Sequence, residues 1–262
     1  MFIDFHVHCF PDEIAPRAMN TLSASSALIP QCDGTVKGLL DNMKENRVDI
    51  SVVQNIATKP QSQTNVNNFA HELNKMQRLV AFGSVNPDSD NALGELERIS
   101  SMGLKGVKFH PEYQNFFVDD IKMRPIYKKI SQLGLITVFH CGADLGFPAP
   151  YHCTPKALSK ALSWFDSPVV AAHWGGMMYH QEVLDYLCGL PVYFDTSFSY
   201  GAVSLPMVKL ILQKHGVDNI LFGSDSPWHT PKEDLPVIQA LGLSKNDFNK
   251  ICCTNALKLL NI

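Results

Sequence analysis

Apolar and polar residues alternate through the opening segment Met1-Phe2-Ile3-Asp4-Phe5-His6-Val7-His8-Cys9-Phe10. Side chains two apart on a strand share a face, so the run predicts a strand with Ile3, Phe5 and Val7 on one side and Asp4, His6 and His8 on the other. Residues 11–34 carry Pro11, Pro16, Pro30 and the small polar stretch from Ser23 to Ser26, and read as a long loop. From Thr35 the pattern changes to helical spacing, with Val36, Leu39, Leu40 and Met43 on one face. The apolar run from Ile50 to Val53 marks a second strand, buried on both faces. Further strands over 79–85, 104–110, 135–141, 168–173, 192–196 and 220–223 are separated by helices over 65–77, 91–102, 119–133, from Thr154 onward, 182–187 and 204–215. Gly103 and Gly134 stop two of these helices, Thr154-Pro155 caps and opens another, and helices over 233–241 and 244–260 close the chain.

Eight short buried strands, each followed by a helix, predict a single α/β domain over residues 1–262, folded as a closed (β/α)8 TIM barrel. A doubly wound open sheet is the alternative, but no Gly-x-Gly-x-x-Gly follows any early strand. The length of 262 residues agrees, since such barrels have about 250 residues. Composition narrows the function classes: 45% hydrophobic and 18% charged residues describe an ordinary globular protein, and the net charge of −3 comes without the basic stripe that nucleic acid requires. No apolar run approaches the roughly 18–20 residues of a membrane span, and no signal-peptide pattern opens the chain, so a soluble, cytoplasmic protein without a membrane partner is expected. Seven cysteines lack Cys-x-x-Cys spacing; Cys9 and Cys141 each follow a histidine on a strand and are expected to face the strand–helix layer as reduced thiols.

Active sites of such barrels sit at the C-terminal ends of the strands. There the chain places His6 and His8 on strand one, Lys108 and His110 on strand four, His140 on strand five, His173 on strand six, Asp195 on strand seven and Asp225 on strand eight. Any one of these could be a satisfied core group. Gathering so many imidazoles and carboxylates at one rim is costly unless a cation holds them together. Loops on the same rim add His152, Trp174, His180, Trp228 and His229, with Trp174 and Trp228 suited to wall a planar or apolar substrate.

Five segments taken in order resemble the amidohydrolase superfamily: Asp4-Phe-His6-Val-His8, Lys105-Gly-Val-Lys108-Phe-His110-Pro111, His140-Cys-Gly142, Ala172-His173-Trp-Gly175-Gly176 and Phe222-Gly-Ser-Asp225-Ser-Pro227. The resemblance is to its amidohydrolase-related branch of metal-dependent barrels, which includes aminocarboxymuconate-semialdehyde decarboxylase. It implies one divalent metal ion, zinc foremost and manganese as the alternative, held by His6, His8, His140 and Asp225 with His173 beside it. A bound cation lowers the pKa of its water towards about 7. Asp225 would accept a proton from that water, and His173 would position or protonate a substrate oxygen. Binuclear members of the superfamily bridge two metals with a carboxylated lysine on strand four; the preferred role for Lys108 or His110 here is to meet an anionic substrate group.

Two reactions on a small-molecule substrate fit this site. The first is hydrolysis of a carbonyl, ester, lactone or amide carbon by metal-activated water, which the compact length of the chain favours. The alternative is nonoxidative decarboxylation of a small carboxylated substrate. A binding barrel with a vestigial metal is a third reading, disfavoured because apolar rim residues would serve a scaffold better than clustered titratable ones. The exposed helices of a barrel also allow a homodimer.

Overall fold

The β-branched and aromatic runs form eight short strands: β1 (Ile3–Val7), β2 (Ile50–Gln54), β3 (Leu79–Phe82), β4 (Gly106–Phe109), β5 (Ile136–Phe139), β6 (Val169–Ala171), β7 (Tyr193–Asp195) and β8 (Ile220–Leu221). All pair in parallel, β1 to β3 in one sheet and β4 to β8 in another, in the computed structural model, which describes residues 1–262. Two seams join the sheets into a cylinder. At the first, Gly83 N–H donates to the Gly106 carbonyl at 2.9 Å and Lys108 N–H to the Gly83 carbonyl at 2.8 Å. At the second, Phe5 N–H donates to Phe222 O at 2.8 Å, Asp225 N–H to His6 O at 2.8 Å and His8 N–H to Ser226 O at 2.6 Å. The result is the expected single-domain (β/α)8 barrel.

Two apolar layers hold it. Ile3, Phe5, Val52, Phe82, Ile136, Val138, Val170 and Leu221 fill the barrel, and Ala256 and Leu260 of the last helix (Asn255–Leu260) pack against them. A larger cluster lies between strands and helices and includes Val7, Cys9, Val53, Phe109, Phe139, Cys141 and Phe194. Cys9 and Cys141 thus face the helices, as adjacent strand positions require, and all seven cysteines are free thiols. Expected caps form as well: the Thr154 hydroxyl accepts from Ala157 N–H, and that of Ser244 from Asp247 N–H.

Two expectations need correction. Residues 15–26 are not loop but a twelve-residue helix, Ala15–Ser26. Pro16 sits in its first turn, where a missing N–H costs nothing, and Ala15 and Met19 bury one face. The alternation in β1 is also broken. Ile3 and Phe5 belong to the inner layer but Val7 and Cys9 to the outer one, and the pairing of β1 with β2 shifts register between Asp4 and Val7. Such an irregularity re-aims side chains, so Phe5 and His6 can both serve the barrel interior, one as core and one as rim.

Gly223 is part of the same adjustment, because a Cβ there would lie 2.8 Å from His6 Cβ. Gly223→Ala is therefore expected to destabilise the barrel by about 1–3 kcal/mol through overpacking. A urea unfolding curve superimposable on the wild type would show that the contact is not constraining.

Candidate metal centre and active-site cavity

His6 and His8 leave β1 with both Nε2 atoms turned to Asp225: His6 Nε2 lies 3.4 Å and His8 Nε2 3.2 Å from Asp225 Oδ1. Partners of the other ring nitrogens set the tautomers. His8 Nδ1–H donates at 2.7 Å to the Gln54 carbonyl, which can only accept, and His6 Nδ1–H donates to Asp195 Oδ2 at 2.8 Å. Burial opposes ionisation of Asp195, but the adjoining His6 outweighs it and holds the carboxyl well below the usual range. Burial likewise opposes ionisation of Asp225, and the surrounding His8, His6 and His173 imidazoles prevail in the same direction. Both Nε2 atoms thus converge on one carboxylate oxygen.

That arrangement calls for a positive charge. Two imidazoles and a carboxylate suit a borderline divalent ion such as zinc, and their three donor atoms lie within 4.8 Å of one another. Lys108 supplies part of the charge, with Nζ donating to His6 Nε2 at 3.3 Å. Burial lowers its pKa to about 8, against the opposing pull of Asp195 and Asp225.

His140 is placed differently from the expected four-ligand set. Its Nε2–H donates to the Ala143 carbonyl at 3.0 Å, and its Nδ1 faces His173 Nε2 at 3.0 Å, so His173 stands next to it. The His140 ring stacks on His110, with centroids 4.2 Å apart. His110, His140 and Asp144 form a second donor cluster, in which His110 Nε2 lies 3.1 Å from Asp144 Oδ2. His110 Nδ1 and Glu112 Oε2 are buried there without a hydrogen-bond partner, and burial depresses the His110 pKa to about 3. The rim thus carries two histidine–carboxylate clusters fit for a divalent-metal cofactor, related through His140 and His173.

A cavity of about 460 Å³ opens above them, lined by His6, His8, Lys108, His110, His140, His173, Asp225 and Trp228. Trp174 is not among its walls. The backbone turns left-handed at His173 (φ 60°) and Trp174 (φ 55°), the indole is 1% exposed within the strand–helix layer, and its Nε1–H donates to Ser199 Oγ at 2.7 Å. The other rim histidines of the loops are engaged elsewhere: His152 with the Pro111 carbonyl, His229 with Asp234, and His180 buried at the start of a short helix. Three polar residues gain parts that strand periodicity alone could not assign. Asp195, legible as a rim residue, orients His6; Ser197 bridges Asp195 and His173; and Asp144, in a loop with no pattern to mark it, pairs with His110.

The fold and these donors define a (β/α)8 barrel with candidate histidine–carboxylate metal sites on its C-terminal rim. Over residues 3–262 the sequence matches the family described as Amidohydrolase, and the chain belongs to that family. It carries the catalytic chemistry of the amidohydrolase superfamily at a metal site. No curated protein sequence matches.

Solved structures share the fold at low identity. One is 5-carboxyvanillate decarboxylase of Sphingomonas paucimobilis, with a TM-score of 0.72, 17% identity and 100% of this chain covering 99% of that one. Another is 2,6-dihydroxybenzoate decarboxylase from Rhizobium, at 0.72 and 16%, with 99% and 98% covered. A third is a candidate 2-pyrone-4,6-dicarboxylic acid hydrolase from Pseudomonas putida, at 0.69 and 16%, with 99% and 97% covered. Since this chain spans nearly all of the first decarboxylase, its compact length does not separate hydrolysis from decarboxylation. No helix is long and apolar enough to cross a membrane.

Asp195 touches the donor set only through His6, and groups in that position typically tune metal affinity by about 10–100-fold. Asp195→Asn should lower zinc affinity by that factor while the circular dichroism spectrum is retained. Unaltered zinc affinity by competition with a chelating dye would remove Asp195 from the site.

Proposed function

We propose that the protein is a metal-dependent nonoxidative decarboxylase of a small carboxylic acid, in line with the decarboxylase branch that its motifs resemble. The observation that carries this reading is where charge lies in the cavity. Lys108 is the one lysine or arginine among its lining residues, it is 1% exposed, and it lies at the floor beside the two clusters. A substrate carboxylate is drawn to Lys108 Nζ and out of water, and desolvation disfavours the carboxylate relative to the dispersed charge that forms as CO2 departs.

In the reaction the bond from carbon to the carboxylate breaks, its electron pair stays on that carbon, CO2 leaves and one proton is taken up. Burial keeps His110 and His173 neutral at pH 7, and Asp225 is ionised. Lys108, whose Nζ borders the cavity beside His6, is the group that would hand a proton to the carbon. His6, His8 and Asp225 would hold the metal, with His140 as the further ligand that the motifs imply; zinc is the metal proposed. When bound, it supplies Lewis acidity that anchors substrate oxygens and stabilises developing negative charge. His173 positions a substrate oxygen, and Trp228 walls the body of the substrate. Two of the solved structures that share the fold are decarboxylases by name, of 5-carboxyvanillate and 2,6-dihydroxybenzoate, the class of reaction proposed here.

Hydrolysis is the second reading, and it rests on Asp225, whose ionised oxygen borders the cavity and can accept a proton from water. Asp225 Oδ1, 3.2 Å from His8 Nε2 and 3.4 Å from His6 Nε2, would be taken up in holding the metal, whereas Lys108 is outside that donor set. Zinc-supplemented protein is to be offered hydroxybenzoates and matched lactones in D2O. One CO2 released per acid consumed, with one deuterium at the vacated carbon, is the expected result. Lactone opening with no CO2 from any acid would overturn the proposal in favour of hydrolysis. Lys108→Met should lower the rate of CO2 release by about 10²–10⁴-fold at unchanged zinc content; wild-type turnover in this variant would remove Lys108 as the proton donor.

A further inference from the structure

The cavity is longer than its reactive floor. Its far walls are built by helix Ala15–Ser26, which contributes Ala18 and Leu22, and by helix Gln63–Asn74, which contributes Val66 and Phe69. A volume of about 460 Å³ falls within the ~300–1,000 Å³ of pockets that bury drug-sized ligands. A single ring bearing one carboxylate would leave the space between the two helices unfilled.

Charge divides the same way. Every titratable side chain that lines the cavity, apart from the Cys9 thiol and the Tyr113 phenol, is a histidine, Lys108, Asp144 or Asp225 at the floor, and no arginine lines it anywhere. Between the helices the polar groups are neutral, as at Ser26, Ser62 and Asn65. A second carboxylate on a substrate would meet no cation there, and an ionised group held against apolar walls without a partner is strongly disfavoured. The one lysine lies at the floor, beside His6.

We infer that the substrate is a monocarboxylic acid with an elongated apolar body, its carboxylate at the Lys108 floor and its body running between helices Ala15–Ser26 and Gln63–Asn74. The inference rests on the carboxylic-acid reading given above. It separates this protein by substrate class from a member of the fold whose substrate carries a second carboxylate at the far end of its body, because no cation lines the distal wall.

Three acids read the site directly: benzoate, biphenyl-4-carboxylate and biphenyl-4,4′-dicarboxylate, titrated calorimetrically into the zinc-supplemented protein. Biphenyl-4-carboxylate is expected to bind about tenfold or more tightly than benzoate, since its second ring buries apolar area, and about tenfold or more tightly than the diacid. Ala18→Trp, which fills the distal space, should abolish the preference over benzoate while leaving benzoate affinity within about twofold, because the floor is untouched. Val66→Arg should raise the affinity of the diacid about tenfold by supplying the absent cation. Equal or tighter binding of benzoate or of the diacid by the wild type, or no binding of any of the three, overturns the inference. The expected ranking without CO2 release from any hydroxybenzoate would uphold the binding site and overturn decarboxylation, so the two failures are distinguishable.

Discussion

Closure of the barrel between its first and last strands is the constraint on which the site depends. Three main-chain hydrogen bonds, from Phe5 to Phe222, Asp225 to His6 and His8 to Ser226, bring opposite ends of the chain into register. Asp4 reinforces the seam by accepting from the Ser224 hydroxyl at 2.6 Å and the Ser224 amide at 3.0 Å. The glycine at position 223 lets the two backbones approach at His6. With the seam closed, two imidazoles and a carboxylate from residues more than two hundred positions apart face one another with their lone pairs converging.

The price of that convergence is electrostatic. His6, Lys108, His173 and Asp195 are almost wholly buried, and a buried ionic group contributes little to stability unless each member is paired. Here each is: Asp195 takes a hydrogen bond from His6 and another from Ser197, Lys108 bonds to His6, and His173 bonds to His140. The apolar layer beneath, from Ile3 to Leu221 with the last helix packed on it, carries the cohesion that the polar layer does not. The orphaned nitrogen of His110 and oxygen of Glu112 mark where that polar layer is not satisfied by the protein alone.

The cavity sets the chemistry apart from the fold. At 14–18% identity, the solved structures of this barrel show shared architecture and nothing finer. The local features of this chain are one buried ammonium near a histidine–carboxylate centre, and apolar walls raised by a helix after β1 and another after β2. Charge concentrated at one end of an otherwise apolar cavity favours a substrate that is itself polar at one end.

By itself the sequence determined the barrel, because strand and helix periodicities and their punctuation by Gly103, Gly134 and Thr154-Pro155 are local properties of the chain. It also determined the rim residues, since position at a strand end follows from the same local pattern, and His6, His8, Lys108, His110, His140, His173 and Asp225 do border one cavity. It did not determine helix Ala15–Ser26, whose polar, proline-bearing sequence has weak helical signal and is stabilised by burial of Ala15 and Met19. Nor did it determine which face each side chain takes where regular geometry fails. The register shift in β1 turns His6 inward after Phe5, and left-handed backbone at His173 and Trp174 accompanies burial of the indole in the core. Those choices, together with the pairing of His140 with His173 and of His110 with Asp144, were decided by tertiary structure. They depend on contacts between segments distant in sequence, for which no local pattern carries a signal.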